Sequence, residues 1–202
     1  MSALPTDPRT ILEPLFTVAK QADEFEYCCT LLRVRGMEGP GWDPLRETMA
    51  LTQQLLGLLQ APLDSTLQLR LSLFLYCHLT EVDDLYRITA NLLRIRHGER
   101  YNLDPFATLS KPAMGQMPGT YPNSQISQLV ELSRVVGAPE VGELFASFYV
   151  RQVRNAFFHS DYTLTPDSFN IRRGEGISTG GSISPRVGLE WLVPRVVSES
   201  HE

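Results

Sequence analysis

The chain has 202 residues, 43% of them hydrophobic and 20% charged, which suits one globular domain whose core needs neither disulfides nor metal. A formal net charge of −5 excludes a generally basic nucleic-acid binder, but not a local basic patch. The cations are nearly all arginine, 16 against two lysines, Lys20 and Lys111. Arginine suits bidentate recognition of phosphate and carboxylate, although GC-rich codon usage is the plainer source of the skew.

Residues 9–35 read as a first helix, with Leu12, Leu15, Phe16, Ala19, Ala22, Phe25 and Cys29 at three- and four-residue spacing. Gly36 to Pro44 breaks it. A second helix is expected from about Leu45 to Leu59, ended by Pro62, and Asp64 or Ser65 can cap a third. That third helix should be the longest. From Thr66 to about Arg96 there is no proline or glycine, and Leu67, Leu71, Phe74, Leu75, His78, Val82, Leu85, Ile88, Leu92 and Ile95 trace one stripe. Residues 99–123 hold four prolines and read as a long loop. A fourth helix follows over Ser124–Val136. A fifth runs from near Pro139 to about His159.

The character then changes. Tyr162 to Thr165, a Pro166-Asp167 turn and Phe169 to Arg172 read as a short hairpin. Gly174 to Ser184 reads as a Gly/Ser-rich loop, and residues 185–199 as a last helix. The expected fold is a mainly α helical bundle with a small β-hairpin near the C-terminus. It is taken as a single domain over 1–202, with its core over about 9–160 and the hairpin and terminal helix over about 161–199.

Three cysteines, Cys28, Cys29 and Cys77, form no C-x-x-C and no disulfide framework, and fit a reducing compartment. The first eight residues lack a basic run leading into an apolar core. The longest apolar stretch, Leu71 to Leu79, is far short of the roughly 20 residues of a membrane span. A cytoplasmic protein without membrane association is the expectation.

The segment richest in chemistry is Arg151 to Tyr162. At about 100° per residue, Phe145, Ala146, Tyr149, Val150, Val153, Ala156 and Phe157 gather on one side. Arg151, Arg154, Asn155, Phe158 and His159 gather on the other. Asn155 and His159 are four apart and can face one site. Histidine is the side chain that exchanges protons near neutral pH. Arginine can hold a phosphate and stabilise the extra charge of a five-coordinate transition state. Asparagine can orient either without adding charge. A ribose 2′-OH could then attack its own phosphodiester without a metal. The plainer reading of each residue stands beside this one: Arg-x4-His arises by chance, and His159 beside Asp161 could simply cap a helix end.

The local sequence resembles more than that spacing. Arg154-Asn155-x-x-x-His159, at the end of the last long helix and followed by Ser-Asp-Tyr, is similar to the signature of the HEPN superfamily: an Arg, four to six residues, then a His, often with Asn, Asp or His directly after the Arg. The stretch Val153 to Leu164 resembles that segment in bacterial HEPN-like proteins. The run from His78 to Tyr86 also has their look. The resemblance implies an α-helical HEPN-like bundle that forms a homodimer, in which the Arg and His of both copies line a composite cleft and cut RNA without a cofactor. It implies Arg154 as the phosphate and transition-state group, His159 as general acid/base or as a phosphate-binding group, and Asn155 as the residue that orients them. Arg151, Asp161 and Tyr162 would contact RNA. A toxin–antitoxin or defence setting, with an antitoxin or other protein partner, belongs to the same implication. Members that have lost activity serve as RNA- or protein-binding dimerisation modules. In some toxin-type members a tyrosine lies two residues after the His, whereas Tyr162 lies three after His159.

The remaining candidates are weaker. Glu81 could reach the site as a carboxylate behind the arginine, but a solvated Glu81 is the simpler reading. His78 lies on the apolar stripe and reads as a satisfied core histidine. Metal-ligand spacing around His78, Glu81 and Asp84 is absent. Arg94, Arg96, His97 and Arg100 at a helix end, and Arg172 and Arg173 at a hairpin end, are either favourable pairings or patches for an RNA backbone. Gly174 to Gly181 lacks the lysine of a P-loop.

Overall fold

A computed structural model of the chain describes residues 7–33, 43–106, 121–179 and 181–196. The protein is mainly helical, with a small antiparallel strand section near the C-terminus. The described residues group into two compact units. One holds Pro44–Glu81 and the described residues from Phe148 on. The other holds the described residues of Pro5–Asp43 and of Val82–Ser147.

The second unit begins with α1 (Pro8–Ala22) and α2 (Glu24–Leu32). These replace the single helix expected over 9–35, of which residues 34 and 35 lie outside the described residues. The break is Asp23. Its backbone is extended, its N–H caps α1 at Ala19 O, and its carboxylate accepts from Glu26 N at 3.0 Å, which starts α2. α5 (Asp83–Arg96) lies against α1, α2 and α6 (Pro122–Val135). It buries Tyr86, Ala90, Leu92, Leu93 and Ile95. Asn91, also buried, accepts from Asn102 N at 2.8 Å and donates to Asn102 O at 3.0 Å, which ties the following segment to the helix. α7 (Pro139–Phe148) approaches α6 closely at Gly142, where a Cβ would fall 2.5 Å from Val130 Cα; only glycine fits there. Of the loop expected over 99–123, residues 107–120 lie outside the described residues, and Pro122 already opens α6.

In the first unit, α3 (Pro44–Leu59) packs on α4 (Ser65–Leu79). Asp64 caps α4, accepting from Thr66 N and Leu67 N at 3.0 Å each, as expected. The helix predicted over Thr66–Arg96 is two helices. The chain leaves α4 at Thr80, whose hydroxyl donates to Cys77 O at 2.9 Å, and Val82 is extended. Asp83 and Asp84 then occupy the first turn of α5, where negative charge is favourable. The predicted stripe therefore does not form one face. Leu67 and Phe74 are exposed while Leu75 of the same stripe is buried, and the buried side of α4 is Ser72, Leu73, Leu75, Tyr76 and Cys77.

α8 (Arg151–Phe158) and α9 (Leu189–Val196) pack on α4 as well. A three-stranded antiparallel sheet completes the unit. It comprises β1 (Tyr162–Leu164), β2 (Ser168–Ile171) and β5 (Arg186–Gly188) in the order β1-β2-β5. Tyr162 pairs with Ile171, as the expected hairpin requires. The core here is Leu73, Tyr76, Cys77, Val153, Ala156, Phe169, Ile171, Ile177, Val187 and Leu192.

Two expectations fail in this region. The Gly/Ser-rich stretch is not a plain loop, because β3 (Ile177–Thr179) and β4 (Ser182–Ser184) pair as a second hairpin that buries Ile177. The last helix does not begin at 185, because Arg186–Gly188 first adds a strand to β2.

Candidate functional site

The fifth predicted helix is also two helices. α7 ends at Phe148 and α8 begins at Arg151, with Val150 in an extended conformation between them. A side chain from α4 holds this break. The buried Tyr76 hydroxyl donates to Phe148 O at 3.0 Å and accepts from Val150 N at 2.7 Å. Burial raises the Tyr76 phenol pKa, so the group stays protonated and keeps both bonds. The face drawn through Phe145 and Ala146 therefore does not continue into α8. α8 buries Val153 and Ala156 and presents Arg151, Phe158 and His159 to solvent, with Arg154 and Asn155 half-buried.

Arg154 is held on three sides. Its Nε donates to Glu81 Oε1 at 2.6 Å, its Nη1 donates to Asn155 Oδ1 at 2.8 Å, and its guanidinium carbon sits 5.2 Å from the centre of the Phe158 ring. Nη2 makes no hydrogen bond among the described residues. The hydrogen bond to Glu81 raises the Arg154 pKa, against a smaller opposing effect of burial. Glu81 is thus not merely solvated; it sits at the C-terminal end of α4 with its carboxylate on the guanidinium. Charge-assisted bonds of this kind are short and directional, and the stacked ring adds a cation–π contact. The guanidinium plane is therefore set before any ligand arrives.

His159 ends α8. The next residue, Ser160, is in the left-handed region at φ 53°. Its N–H donates to Phe157 O at 3.1 Å, and Asp161 N donates to Ala156 O at 2.9 Å. That is a complete Schellman closure made without glycine. It leaves the His159 side chain exposed, and no hydrogen bond occupies its imidazole among the described residues. The position also suits the plainer reading, a residue that ends a helix.

The other sequence candidates have found partners. Arg151 lies 3.5 Å from Glu175, and Asp161 lies 3.8 Å from Arg173; in both pairs the arginine is exposed. The Tyr162 ring stacks with Phe169 at 5.1 Å and with Phe157 at 5.4 Å. Its aromatic contacts are thus made within the fold, where it packs against the core. Arg94 pairs with Glu99 at 2.7 Å and Arg96 donates to Gly137 O at 3.1 Å, as a structural role requires. His78 is not the satisfied core histidine expected. Its Nε2 is buried with no hydrogen-bond partner among the described residues, and its ring lies parallel to Phe74 at 6.4 Å.

Cys77, which spacing did not single out, is buried within the field of Arg154 and Glu81, and burial pushes its thiol up to about 12. It is no nucleophile at neutral pH. Among the described residues no three His, Cys, Asp or Glu side chains come together as a metal-ligand group, and no helix is long and apolar enough to cross a membrane. No protein-family model, curated protein or solved structure matches the chain.

Proposed function

We propose that this chain is a HEPN-like, metal-independent endoribonuclease. Its substrate is RNA, and its working form is a homodimer in which two copies of α8 face one phosphodiester. The observation that supports this best is the pre-set guanidinium of Arg154, with Nη2 unoccupied, on the same eight-residue helix that ends in an exposed His159. Phosphodiester cleavage needs a fixed cation where charge develops and a group that moves a proton.

In the proposed reaction the ribose 2′-oxygen forms a bond to phosphorus as its proton passes to one imidazole. The bond to the 5′-oxygen breaks, and that oxygen takes a proton from the second copy's imidazole. The products are a 2′,3′-cyclic phosphate and a 5′-hydroxyl. Arg154 Nη2 meets the non-bridging phosphate oxygen. Asn155 keeps the guanidinium in plane through its Oδ1, and its amide NH2 remains to donate. A setting with a protein partner that restrains the activity, as in toxin–antitoxin or defence systems, fits such an enzyme.

The test is cleavage of a mixed RNA by purified protein in EDTA, with wild type beside His159→Ala and Arg154→Ala. Loss of cleavage in both variants, with cyclic phosphate ends in the wild type, is expected. Unchanged cleavage by His159→Ala overturns the proposal.

A second reading has one observation in its favour. The 2.6 Å pair with Glu81 neutralises much of the charge that Arg154 would offer a phosphate, which suits a non-catalytic dimerisation module that binds RNA or protein. Binding without cleavage by the wild type in the same assay selects it.

A further inference from the structure

α8 does not carry the basic groups of this region alone. The β2–β3 connection, Arg172-Arg173-Gly174-Glu175-Gly176, is anchored at three points: just beyond the C-terminal end of α8, at the first turn of α8, and against β4. Arg172 N donates to Asp161 O at 2.8 Å, which continues the β1–β2 register and sets the two Cα atoms about 5.5 Å apart. Asp161 is two residues beyond His159. Glu175 meets Arg151, on the first turn of α8, at 3.5 Å. Gly176 at φ 80° lies so close to β4 that a Cβ would fall 2.9 Å from the Ser184 carbonyl carbon. That position is open only to glycine, so the connection has a built conformation.

Its two arginines are exposed. Arg172 makes no ion pair among the described residues. Arg173, with 71% of its side chain exposed, has among the described residues only the 3.8 Å approach to Asp161. Elsewhere in the molecule arginines are commonly tied to carboxylates or carbonyls at shorter range, as Arg33, Arg94 and Arg186 are. Two under-used guanidiniums on an anchored connection, which is bonded to the chain two residues beyond His159, fit an extended polyanion better than a lone phosphate. In a chain of net charge −5 they also make the attraction local.

We propose that Arg172 and Arg173 bind the backbone phosphates of single-stranded RNA flanking the phosphodiester held at Arg154 and His159. The proposal rests on the ribonuclease reading for the location of that phosphodiester. The two residues touch neither the 2′-oxygen nor the leaving group. They set how strongly and in which direction the strand lies.

The experiment measures binding of a 2′-O-methyl RNA oligonucleotide, which lacks the attacking hydroxyl, at salt concentrations from 50 to 200 mM. The wild type is compared with Arg172→Ala/Arg173→Ala, and with a control, Arg70→Ala/Arg134→Ala, that removes two exposed arginines elsewhere. Each phosphate contact to a single strand contributes about 0.7 to the slope of log affinity against log salt. Losing two lowers the slope by about 1.4, so over that range the wild type should lose about sevenfold more affinity than the double variant. The control should behave as the wild type does.

An unchanged slope in the Arg172/Arg173 variant overturns the proposal, as does an equal fall in the control or an absence of RNA binding by the wild type. Cleavage is read separately in EDTA with unmodified RNA. A wild type that binds through Arg172 and Arg173 but does not cut sinks the ribonuclease reading while leaving the binding surface in place.

Discussion

Arg154 has three neighbours of different chemistry, and each constrains a different freedom. Glu81 fixes Nε, Asn155 fixes Nη1, and Phe158 lies against the flat face. Its neighbour in the chain, Asn155, is legible in the sequence as part of the same polar sector. Glu81 is legible only as one candidate carboxylate beside a simpler solvated reading, because it lies 73 residues away and no periodicity reports a contact at that separation. The same holds for Tyr162, whose stacking on Phe169 exists only once β1 and β2 have paired.

Asp167 is a residue whose behaviour follows from its own turn. The Thr165 hydroxyl, 2.7 Å away, and then Arg186 hold its carboxyl below the ordinary value for an aspartate. A folded-state pKa below the unfolded one contributes stability that is present above the unfolded value and is lost as pH falls through the folded one. The carboxyl carbon of Asp167, followed by NMR, should therefore titrate below an unstructured aspartate, and Thr165→Ala should move its midpoint upward. A midpoint unaffected by that substitution shows that the hydroxyl is not the main cause.

Helix breaks shape this protein more than helix lengths do. The break at Asp23 has a local signal, an aspartate followed three residues later by Glu26, the pattern of a helix start. The break at Thr80–Val82 has a fainter one in Thr80 and the paired Asp83 and Asp84. The break between α7 and α8 has none, since a hydroxyl on α4 makes it. Tyr76→Phe keeps the ring and removes the bridge, leaving Phe148 O and Val150 N without it. A loss of about 1–2 kcal/mol in stability to denaturant is expected, with faster hydrogen exchange at Val150. An unchanged denaturation midpoint would mean that water replaces the hydroxyl at no cost. The strands follow the same pattern. The 162–171 hairpin is legible from its Pro-Asp turn and alternation, whereas β5 is not, because three residues become a strand only when β2 offers them an edge.

Taken whole, the chain joins a negative net charge to basic groups on α8, Arg151 and Arg154, and on the β2–β3 connection anchored to it, Arg172 and Arg173. Glu81, Asp161 and Glu175 lie among them. One copy supplies one imidazole to the proposed site, and the proposed reaction uses two. Phe158, 44% exposed beside Arg154, is the apolar group nearest that site and the point at which a second copy would pack. Light scattering at micromolar concentration should therefore give the mass of two chains. A single-chain mass at every concentration would remove the composite cleft, and with it the proposed transfer to the leaving oxygen.

The mainly α class, the cap at Asp64, the hairpin turn and the polar sector of α8 are all written in the sequence by itself. Each depends on interactions within about four residues, where capping, turn geometry and helical period act. The length of each helix, the second hairpin, the stacking of Tyr162 and the carboxylate on Arg154 are decided only by the tertiary structure. They depend on groups brought together from distant parts of the chain, such as Tyr76 onto Phe148 and Val150 or Glu81 onto Arg154. A buried polar group takes whatever partner the packing provides, and that packing is a property of the folded chain, not of any local stretch.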